Sequence, residues 1–361
     1  MRRRNNIALL IFFLLVASFL ADSLAQSQAP NQASPAPDAG PANPQSTPPS
    51  APASTAPAAS SAGQSAPNSA QNPQDTSDNG VFVFRKEVEE VVLHATVIDD
   101  KQRIVTTLDK GDFNVFENGH PQTITSFRHE DIPVAMGIVV DNSGSMREKR
   151  EKVNAAALNL VRASNSSDEV CIVNFNDEYY LDQDFTSSIK KLKEGLEKIE
   201  TRGGTALYDA VVATAEHLKK DAKLEKKVIF VVTDGEDNES SETLEQAVRR
   251  LQGENGPTVY AIGILEKEEH PKKAKRALQI MAERTGGIAF FPQTLDEVDA
   301  ISRTVAHDIR TQYTIGYKPT TPKNQGGYRQ VKVDAHSGHS KLSVRTKSGY
   351  YAGAEPAAGG Q

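Results

Sequence analysis

The chain has a single cysteine, Cys171, among 361 residues. That excludes an internal disulfide, so the fold must hold on packing alone. Cys171 lies in the apolar run VCIVNF, where a buried structural thiol is expected rather than a reactive one. Positive charge is not in excess: 41 Lys and Arg face 47 Asp and Glu, for a formal charge of −6, which gives no basis for nucleic-acid binding. Residues 26–79 lack Lys, Arg, every aromatic, and Leu, Ile, Val and Met. Such a stretch cannot bury enough apolar surface to offset its ordering entropy, and it is expected to be a disordered Pro/Ala/Ser-rich linker. Eleven of the 19 prolines fall in it, which makes it extended rather than compact. Beyond residue 25 no apolar run is long enough to cross a membrane.

One long apolar run exists, at the start. Arg2, Arg3 and Arg4 precede Ile7 to Leu20, and Ser23-Leu24-Ala25 offers the small residues that a signal peptidase reads. Residues 1–25 therefore read as a secretory signal peptide cleaved after Ala25. The alternative is an uncleaved anchor, but the run is about 14 residues, short of the roughly 20 that span a bilayer. No cysteine follows it, which argues against a lipoprotein. The expected location is outside the cytoplasm, periplasmic or extracellular, with a mature chain of about −8.

From Val81 the composition changes. Val91 to Ile98 alternates with the period of a strand. Phe113 to Phe116 and Thr123 to Phe127 read as further strands, with Asn118-Gly119 as a hairpin turn between them. Residues 80–131 thus form an N-terminal β segment. From Pro133 the rhythm becomes strand, helix, strand, helix. Apolar strands are expected at Val134 to Val140, Val170 to Phe175, Val228 to Val232, Val259 to Ile264 and Ile288 to Phe291. Amphipathic faces such as Val153, Ala156, Ala157, Leu160 and Val161 alternate with them. One helix ends at Gly286-Gly287, a natural C-terminal stop. The pattern predicts an α/β fold, a doubly wound and mainly parallel sheet with helices on both faces, over residues 132–311. Residues 312–352 return to β structure, and 353–361 are a disordered tail. Neither β segment has enough strands to fold alone. They are expected to pair as a small β-sandwich with the α/β domain inserted between them. The alternative is a tail hairpin that extends the α/β sheet.

Three loops carry chemistry. The strand at 134–140 ends in DNSGSM, with Asp141, Ser143 and Ser145 at alternate positions. Gly203-Gly204-Thr205 precedes a helix, and Thr233-Asp234-Gly235 ends another strand. In an open α/β sheet, ligands bind outside the carboxyl ends of the strands, and this topology puts all three loops on that edge. Hydroxyls and carboxylates are hard oxygen donors, suited to Mg2+, with Mn2+ or Ca2+ as substitutes. A plain Ser-rich turn would explain the first loop but not the other two.

DNSGSM resembles the D-x-S-x-S signature of von Willebrand factor type A (VWA) domains. GGTALYDA is similar to their threonine loop, VVTDGED to their aspartate loop, and TGGIAFF with the following helix to their C-terminal end. The resemblance covers residues 132–311, and the flanking segments and leader resemble exported VWA-related proteins of acidobacteria. It implies a Rossmann-like VWA fold and a metal-ion-dependent adhesion site (MIDAS). Its ligands would be Asp141, Ser143, Ser145, Thr205 and Asp234. Asp209 either orients Thr205 or a water from a second layer, or is a solvent-facing helix residue. Glu236, Asp237 and Glu239 read as a solvated acidic loop.

The function that follows is an exported, non-catalytic binding or adhesion module. A protein ligand would supply an acidic residue to Mg2+. A serine or metal-dependent hydrolase is the rival. It lacks a G-x-S-x-G elbow, and no histidine lies near the second and third loops in sequence. A third reading is an assembly subunit of an envelope complex.

Overall fold

The computed structural model describes residues 90–163, 165–198, 200–266, 270–338 and 341–353. The chain divides into two units, Met1–Gly80 and Val81–Gln361, and every described residue belongs to the second. The signal peptide, the linker and the tail beyond Gly353 lie outside the described residues, as do residues 80–89 of the N-terminal β segment.

Four strands come first: β1 (Val91–Ile98), β2 (Phe113–Glu117), β3 (His120–Gln122) and β4 (Ile124–Arg128). Then follow β5 (Val134–Asp141), α1 (Arg150–Arg162), β6 (Glu169–Phe175), β7 (Tyr179–Thr186), α2 (Ile189–Leu196), α3 (Leu207–Asp221) and β8 (Lys226–Thr233). Next are α4 (Leu244–Leu251), β9 (Thr258–Gly263), α5 (Pro271–Thr285), β10 (Ala289–Phe290) and α6 (Glu297–Arg310). The chain closes with β11 (Tyr313–Tyr317), β12 (Gly327–Ala335), β13 (Ser343–Arg345) and β14 (Gly349–Ala352).

The central sheet has six strands in the order β10-β9-β8-β5-β6-β7. All pairings are parallel except β6 with β7. Every residue of β5 is buried, as expected for a strand covered on both faces. Val134, Met136, Ile138 and Val140 pack with α1, α2 and α6 on one side. Ala135 and Val139 pack with α3, α4 and α5 on the other. The fold is thus the doubly wound, mainly parallel α/β architecture that the alternating pattern implies. Gly137 faces α3, where an added Cβ would stand 2.3 Å from the Thr214 methyl, so the helix lies closer here than any side chain permits. Cys171 is buried and unpaired, and burial pushes its thiol up to about 12.

The flanking strands build two antiparallel sheets, β13-β1-β11-β4 and β14-β12-β2-β3. N-terminal and C-terminal strands interleave: β1 and β4 both pair with β11, and β2 pairs with β12. Both sheets bury their inner faces in one core containing Leu93, Val115, Tyr313, Ile315 and Val333. None of the tail strands joins the six-stranded sheet. Glu117 ties this core together, accepting the Tyr317 hydroxyl (2.6 Å) and the Tyr350 hydroxyl (2.8 Å). Asn118 and Gly119 take positive φ, 51° and 80°, and form the hairpin turn. The strand returning from it is β3, only three residues long, and β4 crosses to the other sheet. Three elements carry no clear sequence signal: β3, three residues long with Pro121 in it, edge strand β7, mostly part-exposed, and α2, eight residues long.

Candidate functional site

β5 sits at the point where the chain reverses direction across the sheet, with β6 on one side and β8 on the other. Asp141 is the last residue of β5 and pairs with Phe175. Thr233 closes β8 beside it, and α3 begins at Leu207 on the same edge. This is the crevice where open α/β sheets bind ligands.

The three loops meet through direct bonds. Asp141 is fully buried; its Oδ1 accepts the Ser143 N–H (2.7 Å) and its Oδ2 accepts the Thr233 hydroxyl (2.6 Å). The Ser143 and Ser145 hydroxyls are 3.1 Å apart. The Ser145 hydroxyl donates to Asp234 Oδ1 at 2.8 Å, which joins the first loop to the third. The Lys149 ammonium donates to Asp234 Oδ2. Thr205 is buried and enters through its backbone: its N–H donates to Asn238 Oδ1 (2.8 Å), and its carbonyl accepts the Asn238 N–H (3.0 Å). The second loop is also held to the first, by Gly144 N–H to the Gly203 carbonyl (3.2 Å) and Arg202 N–H to the Asn142 carbonyl (2.9 Å).

Both glycines of the second loop are closely approached by side chains. Gly203 takes φ +72°, and an added Cβ would stand 2.1 Å from the Asp177 carboxylate. A Cβ on Gly204 would meet Glu239 at 2.6 Å and Asn238 at 2.7 Å. Asp177 itself accepts the Gly204 N–H at 2.6 Å.

Burial raises Asp141 from the usual carboxylate range to about 6. The Thr233 and Ser143 hydrogen bonds oppose that rise, and the neighbouring Asp234 charge adds to it. Arg150 is lowered to about 10, chiefly by burial; it donates to the Asp141 carbonyl (3.4 Å) and the Leu196 carbonyl. Ser145 is exposed, so the cluster opens to solvent on its side.

Asp209 braces the third loop, accepting the N–H groups of Ser241 and Glu242, each at 2.9 Å. Asp237 is half-buried, raised by desolvation first, and accepts the Tyr208 N–H (2.9 Å) and the Ser240 hydroxyl (2.5 Å). It caps the start of α3. Glu236 pairs with Lys273 at 3.2 Å. Sequence reasoning passed over Thr233 as a partner of Asp141, Asn238 as the clamp on Thr205, and Lys149. Thr233 adjoins Asp234 in the quoted motif and could have been flagged. Lys149 lies in the charged run REKREK and carries no such signal.

The donor set suits a hard divalent cation: two carboxylates and three hydroxyl residues, with no soft ligand. Among the described residues no three His, Cys, Asp or Glu side chains gather as a metal-binding group.

Residues 136–236 match the family model of the von Willebrand factor type A domain. No curated protein matches the chain. Among solved structures, the chain is similar to a von Willebrand factor type A protein from Catenulispora acidiphila, at 14% identity and TM-score 0.43, covering 73% of this chain and 74% of that one. It is also similar to an aerotolerance-related membrane protein from Bacteroides fragilis, at 19% identity and TM-score 0.41, over 49% of this chain and 98% of that one. A mutant of the PilB minor pilin from Streptococcus sanguinis gives 12% identity and TM-score 0.43, over 50% of this chain; the match spans only 62% of the pilin. At these identities and TM-scores the likenesses carry no argument about this chain.

Proposed function

We propose that this chain is an exported, non-catalytic binding module that captures a protein partner through a Mg2+-dependent site. Asp141, Ser143, Ser145, Thr205 and Asp234 would hold the ion, and Mn2+ or Ca2+ would substitute. The observation that supports this reading is the meeting of three loops, each from a different strand or helix end, at one sheet edge: Asp141, Ser143, Ser145 and Asp234 form one hydrogen-bonded set, and the Thr205 loop is tied to them through its backbone. Bound there, Mg2+ would supply an electrophilic point that an anionic oxygen completes. Two carboxylates balance two charges at most, and the other three donors are neutral, so an acidic side chain of the partner gains more here than at a carboxylate-rich site. The mature chain is acidic, so attraction to such a partner is local to the site and only modestly weakened by salt. A nucleophilic serine is disfavoured by the bonds that Ser143 and Ser145 make: to each other and to Asp234, with no imidazole among those partners. The expected export rests on the leader sequence.

Calorimetry tests the site first. Wild type should bind one Mg2+ per chain and Asp141→Ala none; equal binding by both would sink the assignment. Partner capture from the native envelope fraction should then require Mg2+ and fail in chelator. Capture that persists unchanged in chelator refutes the mechanism, even with metal binding established.

A further inference from the structure

Four cations follow the first loop in REKREK, and the three nearest to it are used differently. Arg147 is exposed, Arg150 bonds backbone carbonyls, and Lys149 reaches a candidate metal ligand. The Lys149 side chain is 11% exposed and that of Asp234 fully buried, so this is an ion pair within the site and not a rim contact. With Ser145 on Oδ1 and Lys149 on Oδ2, both oxygens of Asp234 are engaged. Asp141 differs: its two oxygens accept only from neutral donors.

We propose that Lys149 is a built-in competitor for the metal: its ammonium and a divalent cation contend for Asp234, and this contest sets the concentration at which the site loads. The proposal rests on the metal-site reading above. The physical argument is one of charge in a poorly solvated place. Asp141, Asp234 and Lys149 together carry one net negative charge. A divalent ion added beside the ammonium would face like charge at ion-pair distance, where screening by water is weak. An ammonium is tolerated in a buried position only while paired. When Asp234 turns to the metal, Lys149 loses its partner, and its flexible four-carbon stem lets the ammonium move out to solvent. Its backbone need not follow: the Lys149 N–H bonds the Met146 carbonyl (2.9 Å), and its carbonyl accepts the Val153 N–H (3.1 Å). The consequence is a site tuned to fill at higher divalent concentration than its oxygen set alone would dictate.

Lys149→Met tests this, because it keeps most of the stem and removes the charge. In Mg2+ calorimetry the variant should bind about tenfold or more tightly than wild type. In chelator its melting temperature should fall by about 5 °C or more, since Asp234 is left buried without its counter-charge. Lys152→Met is the control, because Lys152, three residues further on in α1, pairs with exposed Asp296 at the start of α6; it should change neither reading. Lys149→Gln provides a second neutral side chain, with the same direction expected, if the methionine variant fails to fold. Mg2+ binding that is unchanged or weaker in the Lys149 variants overturns the proposal while leaving the metal site intact. Equal tightening in Lys152→Met also overturns it, by making the effect long-range. If neither wild type nor variant binds Mg2+, the metal reading fails and competition with it; a lowered melting temperature in chelator would then mark Lys149 as a structural counter-charge.

Discussion

Asp141 sets the pH behaviour of the site. Its carboxyl is raised to about 6 by burial, with Asp234 adding to the rise. A metal ligand must be deprotonated, so Mg2+ affinity should hold above pH 7 and fall about tenfold per unit below pH 6. Titrations at pH 5, 6, 7 and 8 would check it; a flat profile would speak against Asp141 as a ligand. Stability in chelator runs the opposite way. The folded protein holds this proton more tightly than the unfolded chain, so the stabilisation is fully present below about pH 4 and lost as pH rises through 6. Saturating Mg2+ should reverse the trend between pH 5 and 7, which paired thermal melts would read. Asp141, Ser143, Ser145 and Asp234 are legible in the sequence because they are oxygen donors at strand ends. Lys149 and Asn238 are not, because their roles depend on where a second loop lands.

At the scale of elements, close approach matters more than propensity. The contact of α3 with β5 depends on Gly137, which leaves no room for a Cβ beside Thr214. Gly137→Ala should destabilise the protein by about 1–3 kcal/mol, as overpacking does. A urea midpoint equal to wild type would show that α3 shifts freely. Because α3 follows the second loop, the same substitution should also weaken Mg2+ binding. Strands and helices with a continuous apolar stripe, such as β5 and α1, stand out in the sequence. β7 does not: it pairs on one side only, its register with β6 shifts twice, and Tyr179 and Leu181 on it are exposed. α2 is too short for its apolar face at Ile189, Leu192 and Leu196 to mark it. β3 is hidden by Pro121, which argues against a strand until the neighbouring β2 is known.

Over the whole molecule, the two cores have different dependencies. Residues 132–311 carry all six strands and six helices of the α/β layer. Among the described residues of 81–131, the one ladder between two strands is β2 with β3, beside an isolated bridge from Ile98 to Ile104, whereas β1 and β4 pair with β11. The 132–311 fragment should give a dispersed NMR spectrum, and the 81–131 fragment a collapsed one; a dispersed spectrum from the latter would count decisively against this. The larger fragment should be less stable than the full protein. Buried Asp308 on α6 would keep the Tyr260 hydroxyl (2.5 Å) but lose the Thr96 hydroxyl (3.1 Å) and Arg345. A split arrangement of this kind is hard to read from sequence, because strand count says only that partners are missing. Which strands supply them is a matter of long-range register.

The interleaved strands also determine how the molecule bears load. The chain enters the α/β layer from β4 and leaves it into β11, and these strands are neighbours, with Arg128 opposite Thr314. Arg310 clasps the two crossings by bonding Asp131 (2.9 Å) and Asp168. β5 runs from this neck to Asp141, a span of about 23 Å. A pull applied at Asp141 would therefore travel along β5, flanked by β6 and β8, and reach the neck at two adjacent strands. Ladders loaded along their length give way together, whereas a sheet pulled sideways opens one bond at a time. In single-molecule stretching, the fold should yield at higher force when gripped at the Asp141 edge and at β1 than when gripped at β7 and β10. Equal forces along both directions would contradict it.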